Sequence, residues 1–323
     1  MATQPFGSAP LAALVLCFAS LAGCAVSPRP GPDDERRIAD KTFVVTGASS
    51  GFGRGVALRL GAAGANVVVA ARSVDALAAV ASELTAAGGR ALVVAADVAD
   101  RGDIERLMAA AVARFGRVDV WINNAGVGAI GRFDDIPLED HARLIDINLK
   151  GVIYGSHVAL RQFRAQGTGV LVNIGSVESQ VPLAYQASYA ASKAGVLSLG
   201  RTLNEELRLA GLSGVHVVTV MPWAAATPFF RHTANYSGHV PTMVAMDDPQ
   251  KTVEAIVWVT VNPVEELPVG WKAVGGYESH RMLPDLTERL SADIAHRAQM
   301  QEAPPAESSA GTLHRTVGTP AQR

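Results

Sequence analysis

The apolar residues of this chain fall in short continuous runs separated by longer amphipathic stretches. "KTFVVTG" (41–47), "NVVVAAR" (66–72), "ALVVAAD" (91–97), "VDVWINNAG" (118–126), "GVLVNIGS" (169–176) and "VHVVTVMP" (215–222) are such runs. Short, β-branched and bounded by turn residues or charges, they predict buried strands. Helix-length segments lie between them at 53–63, 74–87, 103–115, 138–166 and 188–210. Continuous rather than alternating runs mean that both faces of each strand are covered, as in a parallel sheet with helices on either side. The alternation continues from residue 41 to 222 without a linker. The expected fold is therefore α/β, a single doubly wound, mostly parallel sheet of the Rossmann type, within a domain spanning 40–290.

Beyond Met221 the pattern loosens. Residues 223–243 read as a long loop or short helices, followed by a helix over 249–261 and a short strand over 269–274. Residues 29–39, rich in proline and charge, read as a linker, and 291–323 as a polar, disordered tail. The N-terminus is different again. Residues 1–28 carry no charged side chain, and an apolar run over 11–21 leads into "LAGC" (21–24). That combination reads as a targeting segment. Leu-Ala-Gly-Cys resembles the lipobox of bacterial lipoproteins, which implies lipidation at Cys24. The upstream stretch lacks the usual Lys or Arg, and Arg29, Arg36 and Arg37 follow the apolar run instead. The expectation is membrane association through the N-terminus. A catalytic domain facing the cytoplasm is favoured over export.

Composition narrows the chemistry. A net charge of −2 leaves no electrostatic footprint for nucleic acid. The two cysteines, Cys17 and Cys24, both precede the body, so a disulfide or thiolate metal site in the domain is not expected. The eight histidines lack metal-ligand spacing, and His141 and His157 read as ordinary helix residues, so no metal site is expected.

Two stretches carry candidate chemistry. "TGASSGFGRG" (46–55) follows the first strand and opens the first helix. Its glycines allow a tight turn and close approach, and the helix N-terminus offers free N–H groups to a pyrophosphate. In "SYAASKAG" (188–195), Tyr189 and Lys193 stand four apart, on one helix face. A neighbouring cation favours phenolate and is expected to lower the phenol pKa toward a range useful for proton transfer.

These stretches, with "NNAG" (123–126) and Ser176 at a strand end, occur in one order. Together they resemble the short-chain dehydrogenase/reductase family in its single-domain form, over about residues 40–275. The resemblance implies a nicotinamide-dependent oxidoreductase working on a small carbonyl or alcohol, and a homo-oligomer. It makes Tyr189 the general acid or base, with Lys193 lowering its pKa and holding the nicotinamide ribose. Ser176 would hold the substrate oxygen, and Asn148, in "DINLKG", a water of the proton relay. Cofactor contacts are implied at Gly47, Ser49, Ser50, Gly51, Phe52, Gly53, Asp97, Val98, Asn124, Pro222 and Thr227, besides Tyr189 and Lys193. Trp223 departs from the family pattern, which has glycine there, and supports the rival reading of a dinucleotide-binding scaffold or redox sensor without turnover. The lid aromatics Trp223, Phe229, Phe230 and Tyr236 are consistent with an apolar substrate. Glu178 is placed by the sequence either in the pocket or in solvent. At the end of the second strand Ala71 stands where an acidic residue would bind a ribose 2′-hydroxyl. Arg72 follows it and can pair with a 2′-phosphate, so NADP(H) is expected over NAD(H).

Overall fold

The computed structural model describes residues 27–316. The expectations placed on the apolar N-terminal run, Cys17 and Cys24 lie outside these residues. Among the described residues no helix is long and apolar enough to cross a membrane.

Among the described residues nine strands form in chain order: β1 (Thr42–Thr46), β2 (Asn66–Ala71), β3 (Arg90–Ala95), β4 (Val120–Asn123), β5 (Ala129–Ile130), β6 (Gly169–Ile174), β7 (Val215–Pro222), β8 (Ala234–Asn235) and β9 (Glu266–Val269). Seven of them make one sheet in the order β3-β2-β1-β4-β6-β7-β9, and β5 pairs with β8 apart from it. Every pairing in the main sheet is parallel, with Val44 beside Val68 on one side and Trp121 on the other. Period-two geometry sends alternate residues to opposite faces. Phe43, Val45, Val67 and Ile122 join one core with Val56, Leu60, Leu77 and Ile256. Val44, Val68, Trp121 and Leu171 join a second core with Ile104, Leu107 and Phe163. Both faces are buried, which is why the strands read as unbroken apolar runs.

The helices are α1 (Pro32–Ile38), α2 (Gly51–Ala62), α3 (Val74–Ala86), α4 (Arg101–Phe115), α5 (Leu138–Ile145), α6 (Gly151–Gln166), α7 (Ala187–Leu209), α8 (Phe229–His232), α9 (Pro249–Val259), α10 (Gly270–Met282) and α11 (Pro284–Ala295). Four places differ from the sequence expectation. The segment 138–166 is interrupted by a π turn, Asp146–Lys150, which separates α5 from α6. The strand expected over 269–274 lies earlier, as β9, because the chain turns at Gly270 (φ +80°) directly into α10. The apolar residues of "VGWKAV" fit either periodicity, and only Val269 of them reaches the sheet.

The other two differences concern stretches read as loose. Within 29–39, α1 starts on a proline and carries Asp33, Asp34 and Glu35 in its first turn and Arg36 and Arg37 in its last, charges that suit the helix dipole. It docks on the body through fully buried Ile38 and through bonds from Asn262 to Asp34 (2.9 Å) and from Arg37 to Asn262 (3.1 Å). The tail from 291 is likewise ordered as far as residue 316. After α11 and a π turn (His296–Glu302), the chain doubles back over the β5–β8 pair. Asn235 and Ser309 exchange main-chain hydrogen bonds at 2.7 and 2.9 Å, and Leu313 is fully buried. Small polar residues anchored by their main chain make a strap that composition alone reads as disorder.

Candidate active site

From β1 the chain proceeds to β2 on one side of the sheet, and from β4 it proceeds to β6 on the other. The crevice at the carboxyl ends of these two strands is a topological switch point, where open α/β sheets bind ligands. A cavity of about 560 Å³ opens there.

One wall is the glycine turn between β1 and α2. Gly47 (φ +66°) and Gly51 (φ +53°) occupy the left-handed region. A Cβ on Gly47 would lie 2.7 Å from the Ala125 Cα, and one on Gly53 2.4 Å from the Asn124 Nδ2. Close packing against the end of β4 therefore forces both residues. Asn124 fastens that contact: its amide donates to the Thr46 carbonyl (2.9 Å) and the Gly47 carbonyl (3.3 Å). In return the Thr46 hydroxyl accepts from the Asn124 and Ala125 N–H groups at 3.0 and 3.2 Å. Gly47, Ser49, Ser50, Gly51 and Phe52 line the cavity, while Gly53 is buried beneath it. A Cβ on Gly51 would meet only Thr227, at 3.9 Å, so the turn leaves open space in front of the α2 N-terminus.

At the other wall, the end of β6, α7 and the π turn bring four expected residues together. Ser176 caps the short turn Val177–Ser179, its hydroxyl accepting the Glu178 N–H at 3.1 Å. Tyr189 lines the cavity beside it, and the Ser176 hydroxyl hydrogen-bonds the phenol. Lys193, only 4% exposed, donates from Nζ to the Ile174 carbonyl at 2.7 Å and lies 5.6 Å from the Tyr189 ring centroid. Asn148 sits in the π turn, fully buried. Its side chain exchanges two 2.9 Å hydrogen bonds with the Val127 main chain and donates to Ser192 at 3.2 Å. Phe229 tilts against Tyr189 with centroids 5.8 Å apart. A phenol, a hydroxyl and an ammonium thus meet at one end of a crevice whose middle is a glycine turn.

The family model of short chain dehydrogenases matches residues 41–236. The chain belongs to the short-chain dehydrogenase family. It is 32% identical over 282 residues to YxnA, an uncharacterised oxidoreductase of Bacillus subtilis (strain 168), covering 85% of this chain and 78% of that protein. Among solved structures, a short-chain dehydrogenase from Streptomyces avermitilis superposes with a TM-score of 0.66 at 32% identity, over 78% of this chain and 97% of that one. A 3-ketoacyl-(acyl-carrier-protein) reductase from Brucella melitensis, complexed with NADH, superposes with a TM-score of 0.62 at 29% identity, over 71% and 96% of the two chains. The protein is an oxidoreductase of the nicotinamide-binding Rossmann type that acts on a small molecule.

The remaining end of the dehydrogenase crevice lies past β2 and β3. Arg72, Asp97 and Val98 line it, and Asp97 is paired with Arg143. Here the strap enters the site. Arg72 donates to the main-chain carbonyls of Thr312 (2.7 Å) and Leu313 (3.1 Å), and Arg143 also reaches the Leu313 carbonyl (3.2 Å). Pro222 and Thr227 line the cavity between the two ends. Trp223 lines it as well, its indole N–H donating to the Ala245 carbonyl at 3.2 Å. The bulk that replaces the family glycine thus packs toward the rim.

Electrostatics depart from the sequence expectation at Tyr189. Burial, and then the charge of Glu178, push the phenol well above its ordinary range, while the Ser176 hydrogen bond pulls the other way. Lys193, 5.6 Å from the ring centroid, does not offset that rise, because burial brings its own pKa below that of the phenol. Burial brings Lys193 itself down to about 8, against the pull of Glu178. Burial also raises Asp97, but the Arg143 hydrogen bond and the Ala99 N–H outweigh it and leave the carboxyl below its usual value.

Sequence reasoning missed Arg143, Thr312 and Leu313 because nothing local marks them. Their role comes from contacts with residues as far as 241 positions away. Glu178, left undecided between pocket and solvent, lines the cavity.

Proposed function

We propose that this dehydrogenase moves a hydride between NADP(H), in preference to NAD(H), and the carbonyl or alcohol carbon of a mainly apolar small molecule, with Tyr189 as general acid or base. The convergence of Ser176, Tyr189 and Lys193 at one end of the crevice carries the reading. A dinucleotide fits the residues present. The glycine turn leaves open space before the α2 N-terminus, whose N–H groups suit a pyrophosphate, and the crevice continues to Arg72. The nicotinamide supplies or takes the hydride when bound. Ser176 holds the substrate oxygen, with its own acceptor side engaged by the Glu178 N–H. Tyr189 passes the proton to or from that oxygen. Lys193, held by Ile174, fixes the ribose and refills the phenol. The Asn148 side chain is committed to Val127 and Ser192, so its part in the relay falls to the main chain of the π turn.

The apolar preference is supported by Phe229, Phe230, Leu286, Leu290 and Ile294 along the cavity. The NADP(H) preference is supported by Ala71, which offers no repulsion to a phosphate, and by the Arg72 guanidinium beside it. The N-terminal segment is read as a membrane-associating device, and the body as a homo-oligomer.

Tyr189→Phe is the test. Turnover should fall by about 10²- to 10⁴-fold while NADPH affinity, followed by fluorescence titration, stays near that of the parent. Turnover within about tenfold of the parent would remove Tyr189 from the proton step.

A further inference from the structure

Glu178 is a buried acid that the proton step does not use. It is 7% exposed and lines the cavity two residues beyond Ser176. Its Oε2 is buried without a hydrogen-bond partner among the described residues. Buried polar atoms are nearly always paired, so an orphan on a pocket wall points to a partner that arrives with the ligand. The neighbouring polar groups are already committed. The Ser179 hydroxyl accepts the Ser176 N–H at 3.2 Å, Ser176 is engaged with Tyr189, and Lys193 donates to Ile174. Among the described residues no ion pair joins Glu178 to Lys193, although the two lie within electrostatic reach.

We propose that Glu178 selects the substrate by hydrogen-bonding a second oxygen beside the reacting carbon, so that the enzyme prefers neutral hydroxyketones, dicarbonyls or diols over simple ketones and alcohols. The proposal rests on the hydride-transfer reading and specifies its substrate class. Burial raises the Glu178 carboxyl to about 8, with Lys193 opposing, so at neutral pH the group is an acid that both donates and accepts. Either a hydroxyl or a carbonyl oxygen satisfies it. A cationic substrate would instead have to share the pocket with the Lys193 ammonium. The rest of the lining is largely apolar, which makes one polar wall group a strong discriminator.

The test compares cyclohexanone, 2-hydroxycyclohexanone and 2-aminocyclohexanone on the full chain and on Glu178→Gln and Glu178→Leu. Two readouts are taken. One is kcat/KM with NADPH. The other is the Kd of each ketone in the presence of NADP⁺, followed by tryptophan fluorescence, which needs no turnover. Thermal unfolding and NADP⁺ affinity establish that both variants fold. The parent should favour the hydroxyketone over cyclohexanone by about 10- to 100-fold, the order expected when one buried polar group is left unpaired by the analogue. Glu178→Gln, whose amide still donates and accepts, should keep most of that ratio, and Glu178→Leu should bring it close to one. Equal handling of the two ketones by the parent, or a ratio unchanged in Glu178→Leu, would overturn the proposal. Tighter binding of the aminoketone than of the hydroxyketone would overturn it in favour of an ionised carboxylate. Discrimination in Kd without turnover of any ketone would instead sink the hydride-transfer reading and leave the role of Glu178 standing.

Discussion

The two ends of the crevice are built in contrasting ways. At the β6–α7 end, Ser176, Tyr189 and Lys193 come from 18 consecutive residues. A strand end, a short turn and one helix hold them. At the β2–β3 end, Arg72 and Arg143 meet main-chain carbonyls at 312 and 313, joined only by the return of the C-terminal strap. The first end is set by local geometry and the second by a long-range closure. The proposed proton-transfer groups are therefore set by neighbouring elements, while the proposed grip on the far end of a dinucleotide depends on a segment distant in sequence.

The largest way to break this contrast is at the hinge the two ends share. Gly53→Ala puts a methyl 2.4 Å from the Asn124 amide and the Gly47 carbonyl, so the turn must shift. Overpacking of this kind costs about 1–3 kcal/mol. The expected outcome is a fall of roughly ten- to a hundredfold in dinucleotide affinity together with a lower Tm. Unchanged affinity would mean that the turn does not hold the cofactor.

A smaller effect should follow from removing residues 312–323. Arg72 then loses its carbonyl partners, and the kcat/KM ratio of NADPH to NADH should rise by up to about tenfold, one charge-assisted hydrogen bond being worth about 1.5–3 kcal/mol before solvent takes its share. kcat at saturating cofactor should change little. Arg72→Ala should lower the same ratio. A truncation that lowered kcat and left the ratio unaltered would erase the distinction between the two ends.

The smallest effect concerns pH. Glu178 has its folded pKa raised by burial from the ordinary carboxyl value to about 8, so the parent loses stability as pH climbs through that interval. Lys193 is lowered to about 8, and its contribution returns as pH rises from there toward the ordinary lysine range. Glu178→Gln cannot ionise. Its Tm should therefore gain on that of the parent by a few degrees between pH 5 and pH 8, at roughly 2–4 °C per kcal/mol for a chain of this size. Parallel Tm curves across that interval would show that Glu178 ionises in the folded protein at its ordinary carboxyl value.

The same division explains what the sequence made legible. The six main strands, the glycine turn and the Tyr189–Lys193 pair each declare themselves within a dozen residues, through periodicity or fixed spacing. The π turn at Asp146–Lys150 leaves no periodic trace, because five residues are too few to show a period of their own. The Tyr189 pKa runs opposite to expectation since i,i+4 spacing brings Lys193 near the ring but does not show the burial and the Glu178 charge that outweigh it. Helix α1 was readable from Pro32 and the charge order, yet its proline-rich approach argued for a linker. The strap was not readable at all. Only Leu313 is fully buried in a stretch of small and polar residues, and its partners lie at the opposite end of the chain.

The strap also imposes an order on the birth of the site. Chains are synthesised from the N-terminus, and domains begin to fold in that direction. The sheet, both cores and the Ser176–Tyr189–Lys193 cluster are complete in a nascent chain long before residues 312 and 313 exist. Until those residues emerge, Arg72 lacks their carbonyls. A premature stop near the last helix would therefore yield a folded body with its proton-transfer groups in place and its distal rim unsealed. Arrival of the strap, not assembly of the sheet, is the event that finishes the pocket.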